Sequence, residues 1–167
     1  LTKAVDKSVV YPGTGVVYTY VARNLGTAPF EGPQNRDDWL TDDACTSAVY
    51  VSGDTGDDSI FGVGESWTYT CAMPIAVDTI NHAEFTGVPF IPASPESGDK
   101  QTGAPMSADD TATVKVIEKG IDITKVANAA GEVVKDGVLL VAMGSEVTYT
   151  YDVTSGQATV PMRVLSV

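Results

Sequence analysis

An internal repeat is the feature that most constrains the fold of this chain. Leu1-Thr2-Lys3 returns as Ile123-Thr124-Lys125, and residues 13–20 return as residues 144–151 with the shared pattern Val-x-Tyr-Thr-Tyr. A repeat of this length is typical of tandem domains. We therefore predict one domain over residues 1–119 and the N-terminal part of a second over residues 120–167.

The second repeat is shorter than the first and is expected to need a partner. Residues 123–167 match roughly a third of the first repeat, and so few strands bury too little apolar surface to fold alone. We expect this segment to pack against another chain or against further residues of a longer chain. The expected partners are therefore neighbouring repeats of the same protein or identical subunits.

Short runs of alternating apolar and polar residues, bounded by turn residues, predict an all-β protein. Seven strands are predicted in the first domain, at residues 1–6, 15–24, 37–43, 48–52, 65–73, 78–87 and 111–118. Alternation assigns an inward face to four runs: Val16, Tyr18, Tyr20 and Ala22; Trp67, Tyr69 and Cys71; Asn81, Ala83 and Phe85; and Val147, Tyr149, Tyr151 and Val153. This pattern favours an immunoglobulin-like antiparallel β-sandwich, with residues 89–107 as a long exposed loop.

The charge balance excludes one class of partner. The chain has 10 Lys and Arg residues against 22 Asp and Glu residues, a net charge of −12. Nucleic-acid binding needs a basic surface, so DNA and RNA are excluded as partners. No apolar run is long enough to span a bilayer, and no membrane insertion is expected in this segment.

Cys45 and Cys71 are the two cysteines. In a β-protein of this composition they favour a disulfide and an oxidising compartment, although two reduced, buried cysteines are the alternative. Zinc binding is disfavoured, because the chain lacks a CxxC motif and His82 is its one histidine.

Three polar residues, Lys3, Asp42 and Asn81, fall on inward-facing positions of three predicted strands. In this order they resemble the self-crosslinking triads of Gram-positive collagen-adhesin-like domains. That resemblance implies an isopeptide bond, formed when a neutral lysine attacks the asparagine carbonyl beside a protonated acid. An apolar core favours both neutral forms. The alternatives are a buried Lys3–Asp42 salt bridge with Asn81 hydrogen-bonded nearby, or Lys3 reaching solvent at the rim. Asp43 is the alternate acid but is predicted to face outward.

Residues 54–65 have the length of a calcium-binding loop. Asp54, Asp58, the Ile60 carbonyl and Glu65 fall at positions 1, 5, 7 and 12. Glycines at positions 3 and 9 leave two ligands missing, so an acidic hairpin loop without metal is the alternative. Calcium is the one cofactor that the sequence suggests.

Enzymatic activity is not predicted. No phosphate-binding loop, zinc motif or nucleophile–histidine arrangement is recognisable, and His82 is predicted to face outward. Trp39, Phe30 and Tyr11 are candidates for a sugar-stacking surface.

Several motifs together resemble the tandem "domain of unknown function eleven" repeats of bacterial and archaeal surface proteins. These motifs are Leu1-Thr2-Lys3, the Val-x-Tyr-Thr-Tyr strand, Thr41-Asp42-Asp43-Ala44-Cys45, Tyr50-Val51-Ser52-Gly53-Asp54-Thr55, Gly64-Glu65-Ser66-Trp67-Thr68-Tyr69-Thr70-Cys71 and Asp110-Thr111-Ala112-Thr113-Val114. The resemblance implies an extracellular location and a structural repeat of a stalk, spacer or fibre. The alternative function is an adhesin module that binds a glycan or a protein on a host or cell surface.

Overall fold

The computed structural model describes residues 1–93, 98–118, 120–131 and 133–154. The chain divides into two compact units, Leu1–Val116 and Ile117–Val167. The division falls close to the boundary predicted between residues 119 and 120. Each unit is described by itself below.

The first unit is built from β-strands, as predicted. Its described strands are β1 (Thr2–Val5), β2 (Val9–Val10), β3 (Thr14–Arg23), β4 (Phe30–Glu31), β5 (Leu40–Asp42), β6 (Val49–Ser52), β7 (Ser66–Ile75), β8 (Thr79–Ile91), β9 (Gln101–Thr102) and β10 (Met106–Val116). One sheet has the order β1-β3-β7-β6. The other has the order β2-β10-β8-β4, with β5 and β9 also paired to β8. These pairs are antiparallel except β2 with β10, which is parallel.

The core lies between the two sheets and follows the predicted alternation. The inward residues of three strands are buried: Val16, Tyr18, Tyr20 and Ala22 on β3, Trp67, Tyr69 and Cys71 on β7, and Asn81, Ala83 and Phe85 on β8. Trp39 and Phe61 complete an aromatic cluster, each with its ring centroid 5.1 Å from that of Trp67. Burying a large apolar side chain contributes about 1.5–3 kcal/mol, so this cluster is a main source of stability.

Residues 37–43 were predicted to be one strand, and this prediction is partly wrong. Arg36–Trp39 forms a 3-10 helix, and only Leu40–Asp42 is extended. The Asn35 side chain accepts a hydrogen bond from the Asp37 backbone N–H, which caps this helix at its start. The helical turn carries Trp39 into the core, where its Nε1 donates to the Pro33 carbonyl at 2.8 Å.

The predicted loop over residues 89–107 is shorter than expected. β8 continues to Ile91, and β10 begins at Met106. Proline has no backbone N–H to donate, but its carbonyl can still accept a hydrogen bond. Pro89 is tolerated within β8 because its carbonyl accepts from the Gly103 N–H at 2.8 Å. Residues 94–97 lie outside the described part of the chain.

The described residues of the second unit form two separate two-stranded antiparallel sheets. β11 (Asp122–Ala129) pairs with β14 (Val147–Thr154), and β12 (Val133–Lys135) pairs with β13 (Val138–Leu140). The predicted burial of the inward face is wrong here. Tyr149, Tyr151 and Val153 are 52%, 59% and 60% exposed, since no second layer covers them among the described residues.

Candidate functional site

Three strands bring the predicted triad into the core of the first unit. On β1, Lys3 pairs with Tyr20 of β3. On β5, Asp42 pairs with Ala83 of β8, and Asn81 lies two residues before Ala83 on the same inward face. Since β1 and β8 belong to opposite sheets, the site bridges the two layers of the unit.

Lys3 and Asp42 form an ion pair that is removed from solvent. The Lys3 Nζ lies 2.8 Å from the Asp42 Oδ2, and both side chains are 0% exposed. The same Nζ lies 5.1 Å and 5.3 Å from the ring centroids of Tyr18 and Tyr20. Lys3 therefore does not reach solvent at the rim, which removes one of the alternatives considered from the sequence.

Four donors hold the Asp42 carboxylate. Its Oδ2 accepts from Lys3 and from the Tyr20 hydroxyl at 2.6 Å. Its Oδ1 accepts from the backbone N–H groups of Ala44 at 3.0 Å and Cys45 at 2.7 Å. These bonds fix the orientation of the acid before any reaction. Asp43 is exposed, and its side chain accepts from the His82 backbone N–H instead.

Burial and hydrogen bonding shift the protonation of this pair. Burial lowers the pKa of the Lys3 amine, and the hydrogen bond to Asp42 only partly offsets this. Burial alone would raise the pKa of Asp42, but hydrogen bonds from Lys3, Tyr20 and the Cys45 backbone lower it overall. The lowered pKa of Asp42 favours its carboxylate form in the resting pair, whereas burial alone would favour the protonated acid expected from the sequence.

Asn81 is the unusual member of the site. It is 0% exposed, yet within the described part of the chain neither its Oδ1 nor its Nδ2 has a hydrogen-bond partner. A buried polar group without a partner costs about 1–3 kcal/mol, and such groups are rare in folded proteins. The alternative of a conventionally hydrogen-bonded Asn81 is thus not what the structure contains.

The Tyr18 hydroxyl is buried beside this amide. Burial raises the pKa of Tyr18, and interaction with the Asn81 side chain opposes that rise, so the two groups are close. No hydrogen bond of normal geometry joins them, because the Tyr18 hydroxyl is also without a partner among the described residues. Tyr18 therefore neighbours both the Asn81 amide and the Lys3 amine, whose Nζ lies 5.1 Å from its ring centroid.

The predicted disulfide is confirmed. Cys45 and Cys71 are bonded, with their Cα atoms 6.2 Å apart. Cys71 is paired with Tyr18 across β7 and β3, and the Cys45 N–H holds Asp42. The disulfide thus connects the backbone that orients the acid to the sheet that carries Lys3.

The residues of the predicted calcium loop have other partners. Asp54 forms an ion pair with Arg36 at 2.6 Å, and Glu65 accepts from the Trp67 Nε1 at 2.9 Å. Asp58 accepts from the backbone N–H of Ile60, and the Ile60 carbonyl accepts from a neighbouring backbone N–H. Among the described residues, no group of three or more His, Cys, Asp or Glu side chains is placed to hold a metal ion. Calcium at this loop stays a prediction that these contacts do not support.

The three aromatic residues considered for sugar stacking do not share a surface role. Trp39 is only 1% exposed and belongs to the core, whereas Tyr11 is 44% exposed. Phe30 is half-buried and packs against Phe61 with a centroid separation of 6.3 Å. A buried indole cannot stack on a sugar, so this set offers no sugar platform.

The sequence did not predict that Tyr18, Tyr20 and Asp110 contribute to the site. Tyr18 and Tyr20 were placed inward by alternation, but strand phase alone does not say which polar group their hydroxyls approach. Asp110 accepts from the Lys3 backbone N–H at 2.7 Å and so fixes β1 against β10. Its position in Asp110-Thr111 gave no signal, because the contact joins residues far apart in sequence.

No family model matches the chain, and searches of curated proteins and of solved structures find no match either. In the described residues, no helix has the length and apolarity required to cross a membrane. The family resemblance and the immunoglobulin-like assignment accordingly stay predictions.

Proposed function

We propose that this chain is a structural module of an extracellular surface stalk, spacer or fibre, in which Lys3 and Asn81 become joined by an autocatalytic isopeptide bond. One observation carries this proposal: the solvent-excluded Lys3–Asp42 pair occurs together with a buried Asn81 amide whose polar atoms are unsatisfied, and Asp42 pairs with Ala83, two residues after Asn81 on β8. A core that only needed stability would be served as well or better by apolar residues of similar size.

The reaction begins with a proton shift inside the ion pair. The proton moves from Lys3 Nζ to Asp42 Oδ2 along their 2.8 Å hydrogen bond, which leaves a neutral amine beside a protonated acid. The lowered pKa of Lys3 favours this shift, whereas the lowered pKa of Asp42 opposes it. No external base is required, because the total number of protons in the pair is unchanged.

Bond formation then follows with atoms and electrons balanced. The lone pair of Nζ attacks Cγ of Asn81 while the Asp42 acid polarises the Oδ1 carbonyl oxygen. A Nζ–Cγ bond forms, a proton passes to Nδ2, and the Cγ–Nδ2 bond breaks to release ammonia. The product is a neutral secondary amide, which removes both the buried ammonium and the unsatisfied primary amide.

The position of the bond suits a module under tension. It would tie β1, at the start of the unit, to β8 in the opposite sheet. β8 pairs over residues 79–87 with β10, the strand by which the chain leaves the unit. Load entering at Lys3 would pass directly to Asn81, so residues 4–80 would be shielded from extension by a covalent path.

Two features support an exported location. The Cys45–Cys71 disulfide is typical of proteins in oxidising environments, and the net charge of −12 favours a solvated surface. The adhesin alternative gains no support from the aromatic residues, since Trp39 is in the core.

Peptide mapping tests this proposal. After reduction and proteolysis, mass spectrometry of the wild-type protein should find the peptides containing Lys3 and Asn81 joined and lighter by one ammonia. Lys3→Arg keeps the positive charge but should leave the peptides separate. Lys7→Arg, at a half-exposed lysine of a neighbouring turn, should retain the joined peptide. Recovery of wild-type Lys3 and Asn81 in separate, unmodified peptides would overturn the proposal.

A further inference from the structure

The second unit repeats the strand register of the lysine half of the site. Lys125 pairs with Tyr151, and Ala127 pairs with Tyr149, on β11 and β14. In the first unit Lys3 pairs with Tyr20, and Val5 pairs with Tyr18. The two lysines therefore occupy the same register relative to their two tyrosines.

The side chains match as well as the backbone. The Lys125 Nζ lies 4.2 Å and 5.3 Å from the ring centroids of Tyr149 and Tyr151. The corresponding distances for Lys3 are 5.1 Å and 5.3 Å. In both units the amine lies over two aromatic rings on the same face of an antiparallel strand pair.

The difference between the two halves lies in what covers them. In the first unit β5 and β8 bring Asp42 and Asn81 against the lysine, and Tyr18 and Tyr20 are 0% exposed. In the second unit Tyr149 and Tyr151 are more than half exposed, and no described ion pair involves Lys125. If a second layer packs on this face, it buries the Lys125 ammonium, so that layer must supply a carboxylate to pair with it.

We infer that Lys125, Tyr149 and Tyr151 form a second crosslinking half-site, whose partner is a strand pair carrying an aspartate and an asparagine in the arrangement of Asp42 and Asn81. In that arrangement Asp42 on β5 pairs with Ala83 on β8, and Asn81 lies two residues before Ala83. Charge complementarity selects the partner, because a buried amine needs an acid to neutralise it. This inference rests on the proposed function, because it assumes the same chemistry at Lys3.

The step at this half-site is the same condensation. The partner's aspartate first takes a proton from the Lys125 ammonium and then polarises the asparagine carbonyl. The neutral Nζ attacks the side-chain carbonyl carbon, a C–N bond forms, one Nζ proton passes to Nδ2, the carbon–Nδ2 bond breaks, and ammonia leaves. No oxidant, metal or cofactor is needed to balance this reaction.

An extended chain tests the inference directly. By register, Thr154 corresponds to Arg23, so a second copy of residues 24–118 is appended after Thr154. This addition supplies a second Asp42 and Asn81 to the Lys125 half-site. We expect the intact mass of the reduced extended chain to lie below its calculated mass by two ammonias, against one for the unextended chain.

Two matched variants assign the second loss. Lys125→Arg in the extended chain should reduce the deficit to one ammonia, because only the Lys3 bond remains. Lys3→Arg should also reduce the deficit to one ammonia, because only the Lys125 bond remains. An unextended chain with no deficit contradicts the proposed function. A different result contradicts the present inference alone. In that result the unextended chain loses one ammonia, and the extended chain folds but also loses only one ammonia.

A hybrid guards against misfolding of the extended chain. In the hybrid, residues 120–154 replace residues 1–23 in front of residues 24–118, which makes a single sandwich with the Lys125 half. If the two halves are equivalent, this hybrid folds and loses one ammonia. If neither the hybrid nor the appended copy folds, the two halves are not equivalent and the inference is wrong.

Discussion

The Lys3 ammonium and the Asp42 carboxylate lie 2.8 Å apart, and both side chains are 0% exposed. Removing two charges from water costs several kcal/mol for each ion even in real proteins, and the pair returns this only when its geometry and hydrogen bonds are good. Here the carboxylate also receives three further donors. These donors fix the position of the Asp42 carboxylate, and the proposed reaction between Lys3 and Asn81 requires an acid that is held in place.

Asp42→Asn should stop the bond from forming. The variant keeps the shape of the side chain but cannot take the proton from Lys3, which is left buried without an anion. Breaking one side of a buried pair costs about 3–5 kcal/mol, so urea unfolding should show a loss of that size in addition to a full-length mass with no ammonia deficit. Lys7→Ala is the control, since its ion pair with Asp6 is half-exposed and is worth at most about 1 kcal/mol. A crosslinked Asp42→Asn protein would show that Asp42 is not the acid.

Tyr20→Phe and Tyr18→Phe should differ in their effect on stability. The Tyr20 hydroxyl donates to the Asp42 carboxylate at 2.6 Å, and a hydrogen bond to a charged group contributes about 1.5–3 kcal/mol. The Tyr18 hydroxyl is buried with no hydrogen bond among the described residues, so its removal should be neutral or slightly stabilising. The two variants are compared by urea unfolding in a Lys3→Arg background that cannot crosslink. Equal losses for both would contradict the assigned contacts.

Removal of the disulfide should act on both stability and crosslinking. A Cys45→Ser/Cys71→Ser double variant releases a constraint over 26 residues, which we expect to cost about 3 kcal/mol. Because the Cys45 N–H also holds the Asp42 carboxylate, crosslinking after refolding should be slower than in the wild type. The rate is followed by mass over time. An unchanged rate would show that the disulfide does not position the acid.

Stability should fall in acid, partly through Asp110. Hydrogen bonds from the backbone N–H groups of Lys3 and Thr111 lower the pKa of Asp110 from its ordinary value of 3.8. The unfolded chain then binds more protons than the folded one as pH falls below that value, so the contribution of Asp110 is present at neutral pH and is lost in acid. Thermal unfolding at several pH values should show a smaller acid-induced decrease in Tm for Asp110→Asn than for the wild type. An identical pH dependence would contradict this role.

The sequence predicted the layers of the first unit better than its connections. Alternation placed Tyr18, Tyr20 and Asn81 inward correctly, because a buried face leaves a period of two that local sequence records. The 3-10 helix at Arg36–Trp39 escaped prediction, since its cap and the burial of Trp39 depend on the assembled core. The loop predicted over residues 89–107 begins later than expected, because Pro89 remains in β8, where its carbonyl accepts from the Gly103 N–H.

The candidate site was predictable in its members but not in its electrostatics. Strand phase predicted inward positions for Lys3, Asp42 and Asn81, and the side chains of Lys3 and Asp42 form a buried ion pair while Asn81 is buried on β8. The lowered pKa of Asp42 comes from Tyr20 and from backbone N–H groups that no sequence pattern identifies. Likewise, the spacing of acids at residues 54–65 suggested calcium, while the Arg36 side chain that pairs with Asp54 comes from a distant segment.

Intact mass spectrometry of the reduced, denatured wild-type chain tests the central claim most directly. The Lys3–Asn81 bond predicts a mass lower than the value calculated from the sequence by one ammonia, with Lys3→Arg and Asn81→Ala each matching their calculated masses. Reduction beforehand separates this deficit from the two hydrogens lost in the Cys45–Cys71 disulfide. A wild-type protein that remains at its calculated mass after prolonged incubation would contradict the account, leaving Lys3 and Asp42 as a buried salt bridge.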